Sequence, residues 1–348
     1  MAINRDTIRW GILGCGDVCE IKSGPGFRLA RGSELVAVMR RDGAKAADYA
    51  KRHGVARWYD DADRLIGDPD VDAVYVATPP GSHLAYAQRV AAAGKPCYVE
   101  KPMARSHREC RRMIEAFDAA RLPLFIAYYR RALPRFVRAR ELLDGGAIGR
   151  VTGCRYRMSR VVRLSPAPQW RLDAEQSGGG LFHDVGSHAL DLLEHLFGAL
   201  TKYGGTAHSS GATHVEDVVA LHFRTQRGVV GSASWNFAAS VNEERLEIDG
   251  TEGRLVMEVL GYSPLALTRV DSASPELIDL PDPPHIQQPL IQTIVDELLG
   301  RGTCPSTAVS AARTSAVMDA ALSSFYNGRD DAFWDRPQTW NKGTIHES

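Results

Sequence analysis

Short apolar runs separated by polar, helix-length segments organise the first part of the chain. The runs fall at 7–13, 34–38, 71–78, 96–99 and 123–127. Apolar runs of about 4–8 residues bounded by turn residues read as strands buried on both faces. Helical patterns separate the later runs, at about 82–93, stopped by Gly94, and at about 107–120. A glycine just past a helix is a common stop. Strand and helix in alternation predict a doubly wound parallel sheet.

Beyond 128–131 the pattern changes. A helix is expected over 134–143, then strand-like stretches at 151–158, 216–224, 229–236, 244–249, 254–259 and 265–270. Arg227-Gly228 and the stretch 250–253 mark tight turns between neighbours, so hairpins and an antiparallel sheet are expected. The segment 272–289, rich in Pro, Asp and Ser, reads as a long surface connection, and 290–300 and 306–326 read as helices. The expected division is a domain over 1–127 and an α+β domain over 128–348, with no internal repeat.

At 348 residues the chain is long for a single core, which agrees with two domains. Lys and Arg together number 42, as do Asp and Glu, so the net charge is zero. That argues against bulk electrostatic binding of nucleic acid or anionic membrane. No run approaches the ~20 apolar residues of a membrane span, and residues 1–6 carry no apolar signal region. The six cysteines are scattered, with no CxxC spacing. Reduced thiols and a cytoplasmic location are the expectation, and no metal site is expected at Cys15 and Cys19.

Chemistry gathers at the ends of the expected strands. After the first comes Gly14-Cys15-Gly16-Asp17-Val18-Cys19, a G-x-G-x-x-C turn. The first glycine permits a tight turn and the second lets the backbone approach a pyrophosphate. After the second strand come Arg40 and Arg41, where an NAD site usually places an acidic residue. Guanidinium groups suit a 2′-phosphate, so NADP is favoured over NAD, with Asp42 as the alternative ribose ligand. After the third come Thr78-Pro79-Pro80-Gly81-Ser82-His83, expected beside the glycine turn. After 96–99 comes Glu100-Lys101-Pro102, a charged pair at the carboxyl end of a buried strand, where ligands of open α/β sheets sit.

In the second domain Gly178-Gly179-Gly180 leads into Asp184, His188 and Asp191. Asp184 and His188 are four apart, so they share one helix face. A histidine beside a carboxylate suits proton transfer. A capping Asp184 with a satisfied core histidine is the plainer alternative. Zinc held by His183, Asp184 and His188 is a lesser one, since no cysteine or HExxH pattern supports it. Trp170-Arg171 stands just before the glycines as a candidate contact for substrate or cofactor. Arg155, Arg157, Arg160 and Arg163 form either a solvated or interface face or a contact for an acidic substrate.

Together, Gly14-Cys-Gly16, Thr78-Pro-Pro-x-x-His83, Glu100-Lys101-Pro102, Tyr129-x-Arg131 and the motif Gly178-Gly-Gly-x-x-x-Asp184-x-Gly-x-His188-x-x-Asp191 resemble the glucose–fructose oxidoreductase / inositol dehydrogenase / rhizopine catabolism (Gfo/Idh/MocA) family. The resemblance covers nearly the whole chain. It implies an N-terminal Rossmann domain and a C-terminal domain with a large open, mainly antiparallel sheet, which commonly builds homodimers or homotetramers. It implies NAD(P) and reversible oxidation of a sugar or polyol hydroxyl. Lys101, His188 and Asp184 are then the catalytic candidates, with His188 or Lys101 as general acid/base. Glu100 joins the cofactor contacts, and Tyr129 stands where the family often has asparagine, toward nicotinamide or substrate. Arg171 is the further substrate candidate. Two other readings belong to the same scaffold: a redox-assisted glycoside hydrolase that retains NAD, and a non-catalytic dinucleotide-binding regulator.

Overall fold

The structure, a computed structural model, describes residue 3 and residues 5–163 and 169–328. They form two compact units. The first takes the chain up to Ala104, Arg108–Leu133 and Pro283–Ala312; the second takes Arg105–His107, Pro134–Asp282 and the chain from Arg313. The sequence reading expects two continuous domains, whereas the segment Pro283–Ala312 returns to the first unit. Long-range packing decides that return, and it leaves no local pattern.

The first unit runs β1 (Ile8–Leu13), α1 (Asp17–Ile21), α2 (Gly24–Leu29), β2 (Ser33–Met39), α3 (Gly43–His53), β3 (Arg57–Tyr59), α4 (Ala62–Ile66), β4 (Ala73–Val76), α5 (His83–Ala92), β5 (Cys97–Val99), most of α6 (His107–Ala120), and β6 (Leu124–Ile126). The strands form one sheet in the order β3-β2-β1-β4-β5-β6, every pair parallel. Every residue of β4, β5 and β6 is buried, as expected of a sheet covered on both faces. Strand order reverses between β1 and β4, so their carboxyl ends flank the switch point at which such sheets bind ligands. On one side of the sheet the rings of Trp10, Phe27, Tyr75 and Tyr98 pack together, with centroids 4.8–6.3 Å apart in the contacting pairs.

The second unit contains α7 (Pro134–Asp144), β7 (Val151–Val161), α8 (Ala174–Ser177), a π-helical turn (Phe182–Gly186), α9 (Ser187–Phe197) and β8 (Leu200–His208). It continues through β9 (Val218–Thr225), β10 (Val230–Asn236), β11 (Ala238–Gly250), β12 (Gly253–Met257), β13 (Leu265–Arg269) and β14 (Glu276–Ile278). After it the chain forms α10 (Gln288–Leu298) in the first unit, and then α11 (Ala308–Leu322). The eight strands are ordered β14-β13-β12-β11-β7-β10-β9-β8, antiparallel except for the β7–β10 pair. Along β7, Cys154, Tyr156 and Met158 are buried while Arg155 and Arg157 are exposed. One face is therefore core and the other is not. Phe182 packs edge-on against Trp235 at 4.8 Å, which seats the π-helical turn on the core face.

Three strands escape the sequence reading for physical reasons. β3 has only three residues. β8 is mostly exposed, so it shows no apolar alternation. β14 lies inside the expected surface connection 272–289, and the same segment contains Gln287, which is fully buried. No helix among the described residues is long and apolar enough to cross a membrane.

Candidate active site

The glycine turn follows β1. Gly14 and Cys15 donate their N–H groups to the Met39 carbonyl at 2.9 and 3.2 Å, which ties the turn to the end of β2. Gly14 has φ +88°, and a Cβ there would stand 2.7 Å from the Thr78 methyl. Glycine is required on both counts. A Cβ on Gly16 would meet nothing nearer than 3.9 Å, so the backbone is open to a close-approaching group. That turn, at a switch point, fits a dinucleotide pyrophosphate. Cys19 fills the third fingerprint position fully buried, with its carbonyl accepting from Tyr49 at 2.9 Å. Burial pushes the Cys15 thiol up to about 11, with Arg40 opposing the rise, so Arg40 lies within electrostatic reach of the turn. Arg40 is half-buried and Arg41 exposed. Asp42 is already engaged: it caps α3, accepting from the Lys45 N–H at 3.2 Å and pairing with its ammonium at 3.4 Å.

The turns after β4 and β5 are joined by His83. This ring is fully buried, and burial pulls its pKa down. Its Nε2 lies 2.6 Å from the Thr78 carbonyl. Its Nδ1 lies 3.2 Å from the carbonyls of both Pro102 and Met103. Both ring nitrogens face backbone carbonyls, so His83 is packed between the turns carrying Thr78 and Lys101 and offers neither nitrogen to a cofactor. Glu100 is likewise turned inward. Its carboxylate accepts from the Tyr75 hydroxyl at 2.5 Å, the Gln287 amide at 2.6 Å and the Lys101 N–H at 3.1 Å. Lys101 is half-buried. Thr78 and Pro79 are half-buried, whereas Pro80 is buried. Tyr129 is 5% exposed, under the Arg130 guanidinium at 5.0 Å.

In the second unit, Gly178 has φ +92°, and a Cβ there would stand 2.7 Å from the Arg105 carbonyl oxygen and from His183 Cε1. The glycines are needed for that close passage. Gly180 N–H donates to Glu216 at 2.7 Å, and Glu216 also accepts from Tyr326 at 2.7 Å. The π-helical turn then carries Asp184, with His188 in the first turn of α9. Such π turns are frequent at functional sites. Asp184 pairs with Arg171 at 2.9 Å, and Arg171 stacks over Trp170 at 4.4 Å. His188 and Asp191 are buried. The structure thus brings two expected substrate groups, Arg171 and Asp184, into one ion pair. Among the described residues no cluster of three or more His, Cys, Asp or Glu has metal-holding geometry.

Two family models match the chain. Residues 8–128 match the oxidoreductase family with an NAD-binding Rossmann fold, and residues 136–256 match the Gfo/Idh/MocA C-terminal domain. Oxidoreductase P35 of Formosa agariphila is 37% identical over 90% of this chain and 97% of its own length. The chain belongs to the Gfo/Idh/MocA oxidoreductase family. A second relative in sequence, 1,5-anhydro-D-fructose reductase of Ensifer adhaerens, is 30% identical over 86% of this chain and 90% of its own. Among solved structures, an aldose–aldose oxidoreductase of Caulobacter crescentus complexed with glycerol superimposes with a TM-score of 0.81. It is 25% identical and covers 93% of this chain and 98% of the other.

The arginines along β7 and just beyond it are placed plainly. Arg155 pairs with Glu247 at 3.2 Å and Arg157 pairs with Glu243, both on the exposed face, and Arg160 and Arg163 are exposed as well. The solvated or interface face is the reading the structure supports. Sequence reasoning missed Gln287 and Glu216. Each acts across more than 30 positions of chain, and neither sits in a local pattern. It also missed a cavity of about 250 Å³ in the second unit, lined by Leu172, Leu181, Thr213, Glu216, Asp217 and Phe237 among others.

Proposed function

We propose that this enzyme oxidises a sugar or polyol hydroxyl, or reduces the matching ketosugar, and that it prefers NADP to NAD. The observation that carries the reading is the cluster of turns at the carboxyl ends of β1, β4 and β5. These strands are neighbours, so Lys101 stands two strands from the glycine turn, with the buried ring of His83 packed between its turn and the Thr78 turn. The names of relatives, an anhydrosugar reductase among them, support a sugar-type substrate.

When bound, the nicotinamide supplies the acceptor or donor of hydride. Backbone of Gly14, Cys15, Gly16, Asp17 and Val18 would hold the pyrophosphate, and Thr78, Pro79 and Tyr129 the rest of the cofactor. Arg40 and Arg41 would take a 2′-phosphate, since Asp42 is spent on capping α3. As the substrate carbon loses hydride, its hydroxyl must lose a proton. Lys101 or His188 takes that proton. Asp184, held by Arg171, orients the substrate. A homodimer or homotetramer, cytoplasmic, completes the proposal.

Fluorescence titration of cofactor-free protein with NADPH and NADH tests the cofactor assignment. Tighter NADPH binding is expected; tighter NADH binding overturns the arginine reading and leaves the enzyme class standing. Turnover of Lys101→Ala and His188→Ala tests the chemistry, and near-full turnover in both, with cofactor bound, sinks the assignment.

A further inference from the structure

We propose that Gln287 is a positioning residue for Lys101, acting through the buried carboxylate of Glu100; this rests on Lys101 being an acid/base group of the reaction. Glu100 is 7% exposed, and Gln287, Tyr75 and Tyr98 are fully buried. The Glu100 backbone is fixed by its N–H to the Val76 carbonyl at 2.9 Å. Its carboxylate then turns inward. Oε1 accepts from the Tyr75 hydroxyl and from Gln287 Nε2, and Oε2 accepts from the Lys101 N–H at 3.1 Å. One carboxylate therefore grips the backbone of Lys101 and is itself gripped by two buried donors.

A buried carboxylate is costly unless hydrogen bonds replace its water. Here neutral donors replace it, and charge-assisted bonds of this type are short and directional. The donors are themselves fixed. Gln287 Oε1 accepts from the Tyr98 hydroxyl at 2.9 Å, and Gln287 N–H donates to the Lys22 carbonyl at 3.2 Å. Tyr75 and Tyr98 stack with centroids 4.8 Å apart. With its amide oxygen taken by Tyr98, Gln287 can offer only its NH2 to Glu100. The orientation is thus set, and a carboxylate at 287 would face Glu100 without a donor. The segment that returns from the second unit supplies this residue, so the return does more than close the first unit's core.

The test compares Gln287→Met, which keeps the volume and loses the amide, with Tyr98→Phe, which loosens the amide but leaves it in place. Three quantities are read in each: Lys101 amide hydrogen exchange in cofactor-free protein, cofactor affinity, and kcat. Gln287→Met is expected to speed Lys101 amide exchange at least tenfold and to lower kcat at least tenfold. Cofactor Kd should stay within about twofold. Tyr98→Phe should move the same quantities in the same direction by less. If Gln287→Met does not fold, Tyr98→Phe alone decides by the same readings. Unchanged exchange and unchanged kcat beside a lowered melting temperature would mean that Gln287 is only structural and would overturn the proposal. Lys101→Ala serves as the control. If it loses turnover while the Gln287 and Tyr98 variants keep theirs, only this inference falls. If it keeps full turnover, the acid/base reading falls and this inference with it.

Discussion

The two sheets use the same residue types under opposite rules. In the parallel sheet consecutive residues are both buried, as with Ile12 and Leu13 of β1. In the mainly antiparallel sheet they alternate, as with buried Met158 beside exposed Arg157. The consequence reaches the chemistry. A sheet covered on both faces can present functional groups only beyond its strand ends, so the first unit carries Gly14, Thr78 and Lys101 on turns. A sheet covered on one face can seat a helix on its core, so the second unit carries Asp184 and His188 on a π-helical turn and α9, packed through Phe182 onto Trp235.

The largest effects should come from the groups these two devices present. Lys101→Ala and His188→Ala are each expected to lower kcat by roughly 10²–10⁴, measured with saturating cofactor. If only the Lys101 variant collapses, proton transfer belongs to the turn of the first unit and α9 serves only to bind.

Next come core truncations that read the two sheets directly. Ile12→Ala and Leu13→Ala should both cost about 2–5 kcal/mol, because neither residue has a solvent side. Met158→Ala should cost about as much. Urea denaturation of each variant checks this. A Leu13→Ala cost below about 1 kcal/mol would show that one face of the first sheet is less well covered than its burial indicates.

Arg40→Ala should weaken NADPH binding by roughly 10–100-fold and leave NADH nearly unchanged, which is the loss expected for a charge-assisted contact. Equal weakening of both would place Arg40 at the glycine turn, whose Cys15 it already influences, rather than at a 2′-phosphate.

These effects track what the sequence made visible. The strand-end turns of the first unit were legible because their residues are consecutive: Glu100-Lys101-Pro102 can be read without knowing what lies nearby. The direction of each side chain was not legible. His83 and Glu100 look like ligand contacts in the sequence, and the side chains of both are turned into their own unit. In the second unit the turn signals at Arg227-Gly228 and 250–253 revealed the hairpins of its sheet. The exposed edge strand β8 and the three-residue β14 carried too little apolar contrast to register. Gln287 was invisible for a related reason: its partners Glu100 and Tyr98 lie 187 and 189 positions away.

A smaller effect follows from His83. Its folded pKa is lowered by burial, while the unfolded ring keeps a value near ~6.5. Below that pH the unfolded chain binds a proton that the folded chain does not. Stability is therefore full above about pH 6.5 and falls as pH drops, by at most about 1.4 kcal/mol per pH unit from this group. Urea midpoints at pH 7.5 and 5.5 should differ more in the native protein than in His83→Gln. An identical drop in both would assign the acid sensitivity to other groups.

The smallest effect is the sharpest test of the open face. Arg157 and Glu243 pair with side chains 60% and 42% exposed. An exposed pair is worth about 0–1 kcal/mol and weakens with salt. Arg157→Ala should therefore leave the urea midpoint of dilute protein almost unmoved, although the residue lies next to Met158, whose truncation is costly. A large loss at high protein concentration that vanishes on dilution would mean that a second copy covers this face. The second sheet would then resemble the first, with both faces buried, one by its own helix and one by its partner.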